Sequence, residues 1–187
     1  KKVDNDIGYC LNLISRIKAM QNNPYLKWML DYESSLKQIP NIIDNLCSNT
    51  QSSLIRLDLS SVPFEANARE ILVNTIGRKL LDCARKSNIS YENPLLVFID
   101  ESHQFLNKSI GDEISKMNLT AFGDIAKEGR KYGLNIVMAT QRARDIPEDV
   151  LSQIGTLIVH RLTNEKDQEI VKKAVGSIDN RSASFLP

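Results

Sequence analysis

The sequence predicts an α/β fold in which helices flank a parallel sheet. From residue 54 onward, short aliphatic segments alternate with longer segments of helical periodicity, the order typical of parallel strands joined by helices. One aliphatic segment, Leu95–Ile99, is apolar at every position, as in a strand covered on both faces. The 187 residues, 42% of them apolar and 25% charged, are enough for one ordinary domain with its own hydrophobic core.

Residues 1–51 are predicted to form a helical segment that precedes the α/β core of residues 52–187. Pro24 can open the second of three helices, and Pro40 separates the second from the third. The polar run 48–53 is typical of a linker. The apolar positions at helical spacing are Ile7, Cys10, Leu11, Ile14 and Ile17 in the first helix, Leu26, Met29, Leu30 and Leu36 in the second, and Ile42, Ile43 and Leu46 in the third.

The core elements follow in strand–helix order. The predicted strands are residues 54–59, 95–99, 135–140 and 156–162, and the predicted helices are residues 65–86, 120–133 and 164–176. Thr120 and Asn164 are predicted to cap the amino ends of the last two helices, whereas Gly133 and Gly176 are predicted to end them. This order predicts that the carboxyl ends of the strands meet at one edge of the sheet.

Charge and cysteine usage exclude several classes of protein. Lys plus Arg number 24 and Asp plus Glu 23, so the net charge of +1 gives no overall attraction to nucleic acid or membrane. The longest apolar stretch falls far short of the about 18 residues that a membrane span requires, and the amino terminus lacks the apolar stretch of a secretory signal. Cys10, Cys47 and Cys83 form no C-x-x-C pair. We expect a cytoplasmic protein with no membrane partner.

Two carboxylates directly follow the apolar strand 95–99. Adjacent carboxylates at a buried strand tip are costly unless they meet cations or protons. Asp100 could hold a hydrated Mg²⁺ ion through water, and Glu101 could accept a proton from, or orient, a water molecule that attacks a γ-phosphate. A solvated turn or a helix-capping pair explains the same two residues, so the pair alone does not decide between these interpretations.

Two further residues extend the candidate site. Gln141 ends the next strand, where its amide could hydrogen-bond both the attacking water and a phosphate oxygen. Arg130 lies off the apolar stripe of the preceding helix. It belongs either to a solvated basic face near the helix C-terminus or to the nucleotide site of a neighbouring subunit, since its planar guanidinium suits phosphoryl oxygens.

The order of these motifs resembles the HerA/FtsK superfamily of hexameric DNA-translocating ATPases, and its HerA branch most closely. The segment L-L-V-F-I-D-E-S-H at residues 95–103 is similar to a Walker B strand with its catalytic glutamate. The segments at residues 128–142, 149–154 and 160–162 follow in the order of that family. The resemblance covers residues 53–187 and implies the C-terminal part of a RecA-like P-loop NTPase core.

The resemblance implies ATP and Mg²⁺ as cofactors. It implies Asp100 as the acid of the magnesium site, Glu101 as the catalytic acid and Gln141 as the γ-phosphate sensor. It also implies Arg130 as a candidate arginine finger that acts on a neighbouring subunit.

The remaining implied contacts are weaker. Arg142 and Arg161 are candidates for phosphate contacts across a subunit boundary, and an ion pair at a strand end explains Arg161 equally well. The implied partners are identical subunits in a hexamer, DNA, and a nuclease or antiphage effector. Residues 107–119 are a candidate DNA-facing loop, although an ordinary surface loop fits them better. His103 and His160 are interpreted as structural polar residues.

The chain departs from the family at one important point. Nothing in it matches the phosphate-binding pattern G-x-x-x-x-G-K-[ST], and Ile76–Lys79 lies inside a helical pattern without a second glycine upstream. We therefore expect this chain alone to bind ATP weakly and to be the C-terminal part of a longer ATPase.

Three alternatives remain open. D-E-S-H at residues 100–103 also matches a D-E-x-H helicase box. Asp58, Asp100 and Glu101 could instead form the metal cluster of a nuclease. The third alternative is a degenerate ring that does not hydrolyse ATP and acts as a scaffold for an effector.

Overall fold

The computed structural model of the chain describes residues 2–30, 38–48, 51, 53–86, 89–106, 108–110 and 117–175. The helices are α1 (Lys2–Asn22), α2 (Lys27–Leu30), α3 (Gln38–Ser48), α4 (Ala68–Lys86), α5 (Ala121–Glu128), α6 (Glu148–Leu151) and α7 (Glu165–Val175). The strands are β1 (Leu95–Ile99), β2 (Lys108–Ile110), β3 (Met117–Leu119) and β4 (Leu134–Met138). Short 3-10 turns occupy Glu65–Asn67, Ser102–Gln104, Gly129–Tyr132 and Ala143–Asp145.

The main sheet is a parallel pair of strands. β1 and β4 align with Leu95 opposite Leu134 and Ile99 opposite Met138. The pairing extends beyond both ends, because the Leu95 N–H donates to the Gly133 carbonyl at 3.0 Å and the Ala139 N–H donates to the Ile99 carbonyl at 2.9 Å. The predicted α/β class, with a parallel sheet and flanking helices, is therefore confirmed for these strands.

Two of the four predicted strands are not strands. Residues 54–59 and 156–162 pair with no other strand within the described ranges. Leu54 and Ile158 are 91% and 93% exposed. An aliphatic segment becomes a strand only when its backbone groups find hydrogen-bonding partners in another segment. The prediction for these two segments is wrong because aliphatic composition does not supply that partner.

The hydrophobic core lies on one face of the β1–β4 pair. Leu95, Val97 and Ile136 pack against the core that α4 and α5 help to form. The side chains that alternate with them point away from it, since Leu96 and Phe98 are 51% and 68% exposed. The expectation that β1 is covered on both faces is therefore wrong for the described residues, because the helices contacting the strands lie on one side.

Helices α4 and α5 meet through the apolar stripes that the sequence predicts. Leu72, Leu80, Ala84, Phe122 and Ile125 are buried. A Cβ at Gly77 would lie 3.0 Å from the Ala121 Cβ, closer than an ordinary van der Waals contact, so the glycine lets the two helices approach closely here. The glycine of Ile76–Lys79 therefore has a packing role.

The amino end of α5 is capped differently from the prediction. The Thr120 side chain makes no capping bond to the helix backbone, because its Oγ1 donates to Asp124 Oδ2 at 2.9 Å. The buried Asn74 of α4 supplies the acceptor instead, and its Oδ1 takes the Ala121 N–H at 3.1 Å. The cap at Asn164 is as predicted, since its Oδ1 accepts the Lys166 N–H at 3.0 Å.

The helical segment joins the core through α3. Ile43 and Cys47 are buried in the same core as α4. Asp44 Oδ1 lies 2.7 Å from Lys79 Nζ and accepts from Cys83 Sγ at 3.0 Å. Burial, and then the bond to Asp44, raises the pKa of the Cys83 thiol to about 12, so this group stays protonated at neutral pH.

The first helix forms as predicted, but its apolar stripe is exposed where it can be described. Leu11, Ile14 and Ile17 are all more than two-fifths exposed. No helix among the described residues has both the length and the hydropathy needed to cross a membrane. The predicted contribution of Leu36 and the predicted stop at Gly176 lie outside the described residues.

We predict that Gly133→Ala destabilises the fold strongly. Gly133 has a φ of +74°, and a Cβ there would lie 2.4 Å from the Ser90 carbonyl oxygen. The strain and the clash should lower the free energy of unfolding by about 2 kcal/mol or more in urea denaturation followed by circular dichroism.

Gly155→Ala is the matched control, because a Cβ at Gly155 meets nothing within 4 Å. Its unfolding free energy should change by no more than about 0.5 kcal/mol. Equal unfolding midpoints for the two variants would contradict the packing described for Gly133.

Candidate functional site

The carboxyl ends of β1 and β4 bring the predicted polar residues to one edge of the sheet. Asp100 and Glu101 follow Ile99 directly, and Gln141 follows the end of β4 after two residues. The Ser102 N–H donates to the Ala139 carbonyl at 3.0 Å, so the two strand tips stay joined beyond the ladder. Asp100, Glu101 and Gln141 therefore share the edge at which parallel sheets bind ligands.

Glu101 has an unusual backbone conformation. Its φ of 47° and ψ of 44° are left-handed, which costs a non-glycine residue about 1–3 kcal/mol. Local bonds hold the turn, since the Glu101 N–H donates to Asp100 Oδ1 and its carbonyl accepts the Gln104 N–H, both at 3.0 Å. The strain thus falls on the residue for which the sequence predicts a catalytic role.

His103 lies between the two strand tips. Its Nδ1 is 3.1 Å from Thr140 Oγ1 and 3.4 Å from Glu101 Oε2. Thr140 Oγ1 also accepts the Arg142 N–H at 3.0 Å. His103, predicted only to be a structural polar residue, contacts a residue 37 positions away in the chain, a pairing for which the sequence carries no signal.

The turn after β4 is attached to α7 by a buried carboxylate. Asp167 is 4% exposed and accepts the Arg144 N–H at 2.9 Å and Arg144 Nη1 at 3.4 Å. The sequence alone gives no signal for this contact, because Arg144 and Asp167 lie on different elements, 23 residues apart in the chain. The contact fixes the turn that follows Gln141, whose own side chain is exposed.

The predicted arginines are distributed over both ends of the sheet. Arg142 lies at the edge that carries Gln141, with its Nη1 3.6 Å from Asp145 Oδ2. Arg130 is exposed at the opposite edge, since its carbonyl accepts the Gly133 N–H at 3.2 Å just before β4 begins. Within one chain, Arg130 is therefore not brought together with Asp100 and Glu101.

Arg161 lies in the segment that does not form a strand. Its side chain is exposed, and no ion pair joins it to another described residue. The choice between an ion pair and a phosphate contact for Arg161 stays a prediction, and the segment that carries it pairs with no other strand among the described residues.

The acidic residues at the edge do not form a ready-made cluster of metal ligands within the described ranges. No group of three His, Cys, Asp or Glu side chains suited to a metal occurs among the described residues. Asp58 accepts the Ser60 N–H of its own turn at 2.8 Å. Mg²⁺ commonly uses one or two carboxylates together with substrate phosphates and water, so a single carboxylate such as that of Asp100 is compatible with a magnesium site that a nucleotide would complete.

The region predicted as a DNA-facing loop contains two strands. β2 and β3 pair antiparallel, with Ser109 opposite Asn118, and Ile110 and Leu119 are buried. The prediction of a loop is therefore wrong at these strands, since alternating inward side chains attach them to the body of the protein. Asn107, Gly111 and Lys116 lie outside the described residues.

Comparison with known proteins gives one consistent family. Residues 90–184 match the family described as "Helicase HerA-like C-terminal". The chain is 41% identical over 81 residues to the DNA double-strand break repair helicase HerA of Pyrococcus furiosus, which covers 43% of this chain and 14% of that protein.

Two further relatives carry the same name. The chain is 32% identical over 120 residues to the protein of Sulfurisphaera tokodaii, covering 62% of this chain and 23% of that protein. It is 26% identical over 164 residues to the protein of Saccharolobus solfataricus, covering 83% and 32%. The matches therefore span less than a third of each relative.

Proposed function

Because the chain belongs to the HerA-like helicase C-terminal family, we propose that it forms the C-terminal part of a RecA-like P-loop ATPase core that drives translocation along double-stranded DNA. The relatives named as DNA double-strand break repair helicases support the helicase part of this proposal. The observation that supports ATP hydrolysis is that Asp100, Glu101 and Gln141 lie at the same edge of the β1–β4 sheet.

In the proposed reaction, Glu101 orients the attacking water and accepts its proton. Asp100 would hold Mg²⁺ through water, and the bound ion would supply positive charge that balances the charge developing on the phosphate oxygens. Gln141 would donate its amide hydrogens to a phosphate oxygen. The three residues Asp100, Glu101 and Gln141 all lie at the edge formed by β1 and β4. Only the hydrogen-bond donors that bind the remaining phosphates would have to come from elsewhere.

The exposed arginines support a shared site in a ring of identical subunits. Arg130 lies at the opposite edge of the sheet from Glu101, so it can act on ATP only in a neighbouring subunit. We infer a homo-hexamer in which Arg130 is the finger, and Arg142 and Arg161 contact phosphate at the subunit boundary. A nuclease or antiphage effector would complete the assembly.

The alternative to an ATPase is a ring that does not hydrolyse ATP and acts as a scaffold for an effector. This alternative predicts that Glu101 has no effect on any activity.

We predict that Glu101→Gln abolishes ATP hydrolysis in the full-length gene product. The amide keeps the shape of the side chain but cannot accept the proton, so kcat should fall at least about 100-fold while KM for ATP and assembly are preserved. Steady-state ATPase assays and size-exclusion chromatography measure these quantities.

Glu148→Gln, at an exposed position in the first turn of α6, is the matched control and should leave kcat unchanged. An unchanged kcat in Glu101→Gln would remove Glu101 from the mechanism. A wild-type protein that assembles without hydrolysing ATP would favour the scaffold.

We predict that the 187-residue chain alone binds Mg²⁺–ATP weakly, because it supplies the carboxylates and the amide but no phosphate-binding loop. Isothermal titration should give a Kd above roughly 1 mM. Tight, magnesium-dependent binding that is lost in Asp100→Asn would show instead that the chain is sufficient for nucleotide binding.

We predict that two inactive variants restore each other's activity when mixed. Arg130→Ala should lower kcat by about 100-fold or more if the guanidinium stabilises the transferring phosphoryl group. Mixing it with Glu101→Gln subunits and reassembling the rings should recover ATPase activity, since some interfaces then combine an intact Glu101 with an intact Arg130.

Lys131→Ala, at an exposed position in the same turn, should keep normal activity and serves as the control. An inactive mixture of Arg130→Ala and Glu101→Gln subunits, with assembly intact, would contradict action across the subunit boundary.

A further inference from the structure

The proposed function leaves one polar side chain at the site without a role. His103 lies in the turn that follows β1, and its side chain is only 15% exposed. Its Nδ1 faces two oxygens, Thr140 Oγ1 at 3.1 Å and Glu101 Oε2 at 3.4 Å. This is the direct side-chain link between the tips of the two strands that carry the candidate catalytic residues.

The direction of these contacts follows from the groups involved. An ionised carboxylate only accepts hydrogen bonds, so the approach of Nδ1 to Glu101 is attractive when Nδ1 carries the hydrogen. Thr140 Oγ1 is held in turn by the Arg142 N–H at 3.0 Å. The single Nδ1–H is therefore shared between two oxygens. Its nearer partner is Thr140 Oγ1 at the end of β4, and the Glu101 carboxylate lies slightly farther away, within ion-pair distance.

Glu101 is a residue that needs such support. Its side chain is 38% exposed, and its backbone has the left-handed conformation described above. A carboxylate that orients water must be held close to its working geometry, because a poorly fixed catalytic group loses rate even when substrate binding is intact.

We propose that His103 is a positioning residue that fixes the Glu101 carboxylate relative to β4, with Thr140 as its anchor. This inference rests on the proposed role of Glu101 in ATP hydrolysis. Thr140 directly precedes Gln141, so the same contacts set the position of the carboxylate relative to the amide on the neighbouring strand.

The first test compares substitutions of His103 in the full-length gene product. His103→Ala should lower kcat for ATP hydrolysis by about 10- to 100-fold while KM for ATP changes by less than about 2-fold. His103→Asn should restore most of the loss, because the Asn side-chain NH₂ can replace the Nδ1–H donor. Gln104→Ala, at an exposed position in the same turn, should behave like wild type.

The second test asks whether His103 acts through Glu101. In a Glu101→Gln background, His103→Ala should cause no further loss of kcat, whereas independent roles would multiply the two losses. A wild-type kcat in His103→Ala would overturn the inference about His103, and a large loss in Glu101→Gln would still support the proposed function. An unaffected Glu101→Gln variant would overturn both.

A third comparison covers the case in which His103→Ala does not fold. Thr140→Ser keeps the hydroxyl and should retain activity, whereas Thr140→Val should lower kcat about as much as His103→Ala, with KM unchanged. Normal kcat in Thr140→Val would overturn the anchoring role.

Discussion

The parallel pairing of β1 with β4 is the constraint on which the candidate site depends. Asp100 and Glu101 are separated from Gln141 by a long stretch of sequence, and only the register between Ile99 and Met138 brings them to one edge. The same pairing places Ser102 beside Ala139 and His103 beside Thr140. Because these contacts follow from the hydrogen-bond ladder, a slip of one residue would reverse the direction of every side chain beyond it.

Of the strands that the sequence predicts, those that form are the two that pair with each other in the described part of the chain. Residues 95–99 and 134–138 are mostly apolar and pair with each other, whereas residues 54–59 are also rich in aliphatic side chains and pair with no other described strand. A local sequence pattern indicates which backbone conformation its side chains favour. A strand forms only when its backbone also hydrogen-bonds to a second segment. Helices α4 and α5 were easier to predict, because their backbone hydrogen bonds lie within each helix and the stripe of apolar residues identifies the buried face.

The same difference between local patterns and distant contacts explains which parts of the candidate site could be predicted. Asp100, Glu101 and Gln141 could be proposed from the sequence because each is a polar residue that follows closely on a recognisable apolar strand. The burial of Asp167 against Arg144, and the contact of His103 with Thr140, depend on pairs far apart in the chain. The left-handed backbone at Glu101 was also not predictable, since a non-glycine residue adopts it only where surrounding contacts outweigh its cost.

Because of its position in the fold, the role proposed for Arg130 in ATP hydrolysis depends on how the subunits are arranged. β4 has five residues, and at a rise of about 3.3 Å per residue its first and last Cα atoms lie about 13 Å apart. Arg130 precedes one end and Gln141 follows the other, so one guanidinium cannot serve the site of its own chain. In the proposed hexamer, Arg130 would contact the nucleotide of a neighbouring subunit. β4 would then connect the sensor of one site to the finger of the next, because a strand packed against the core moves as a rigid unit.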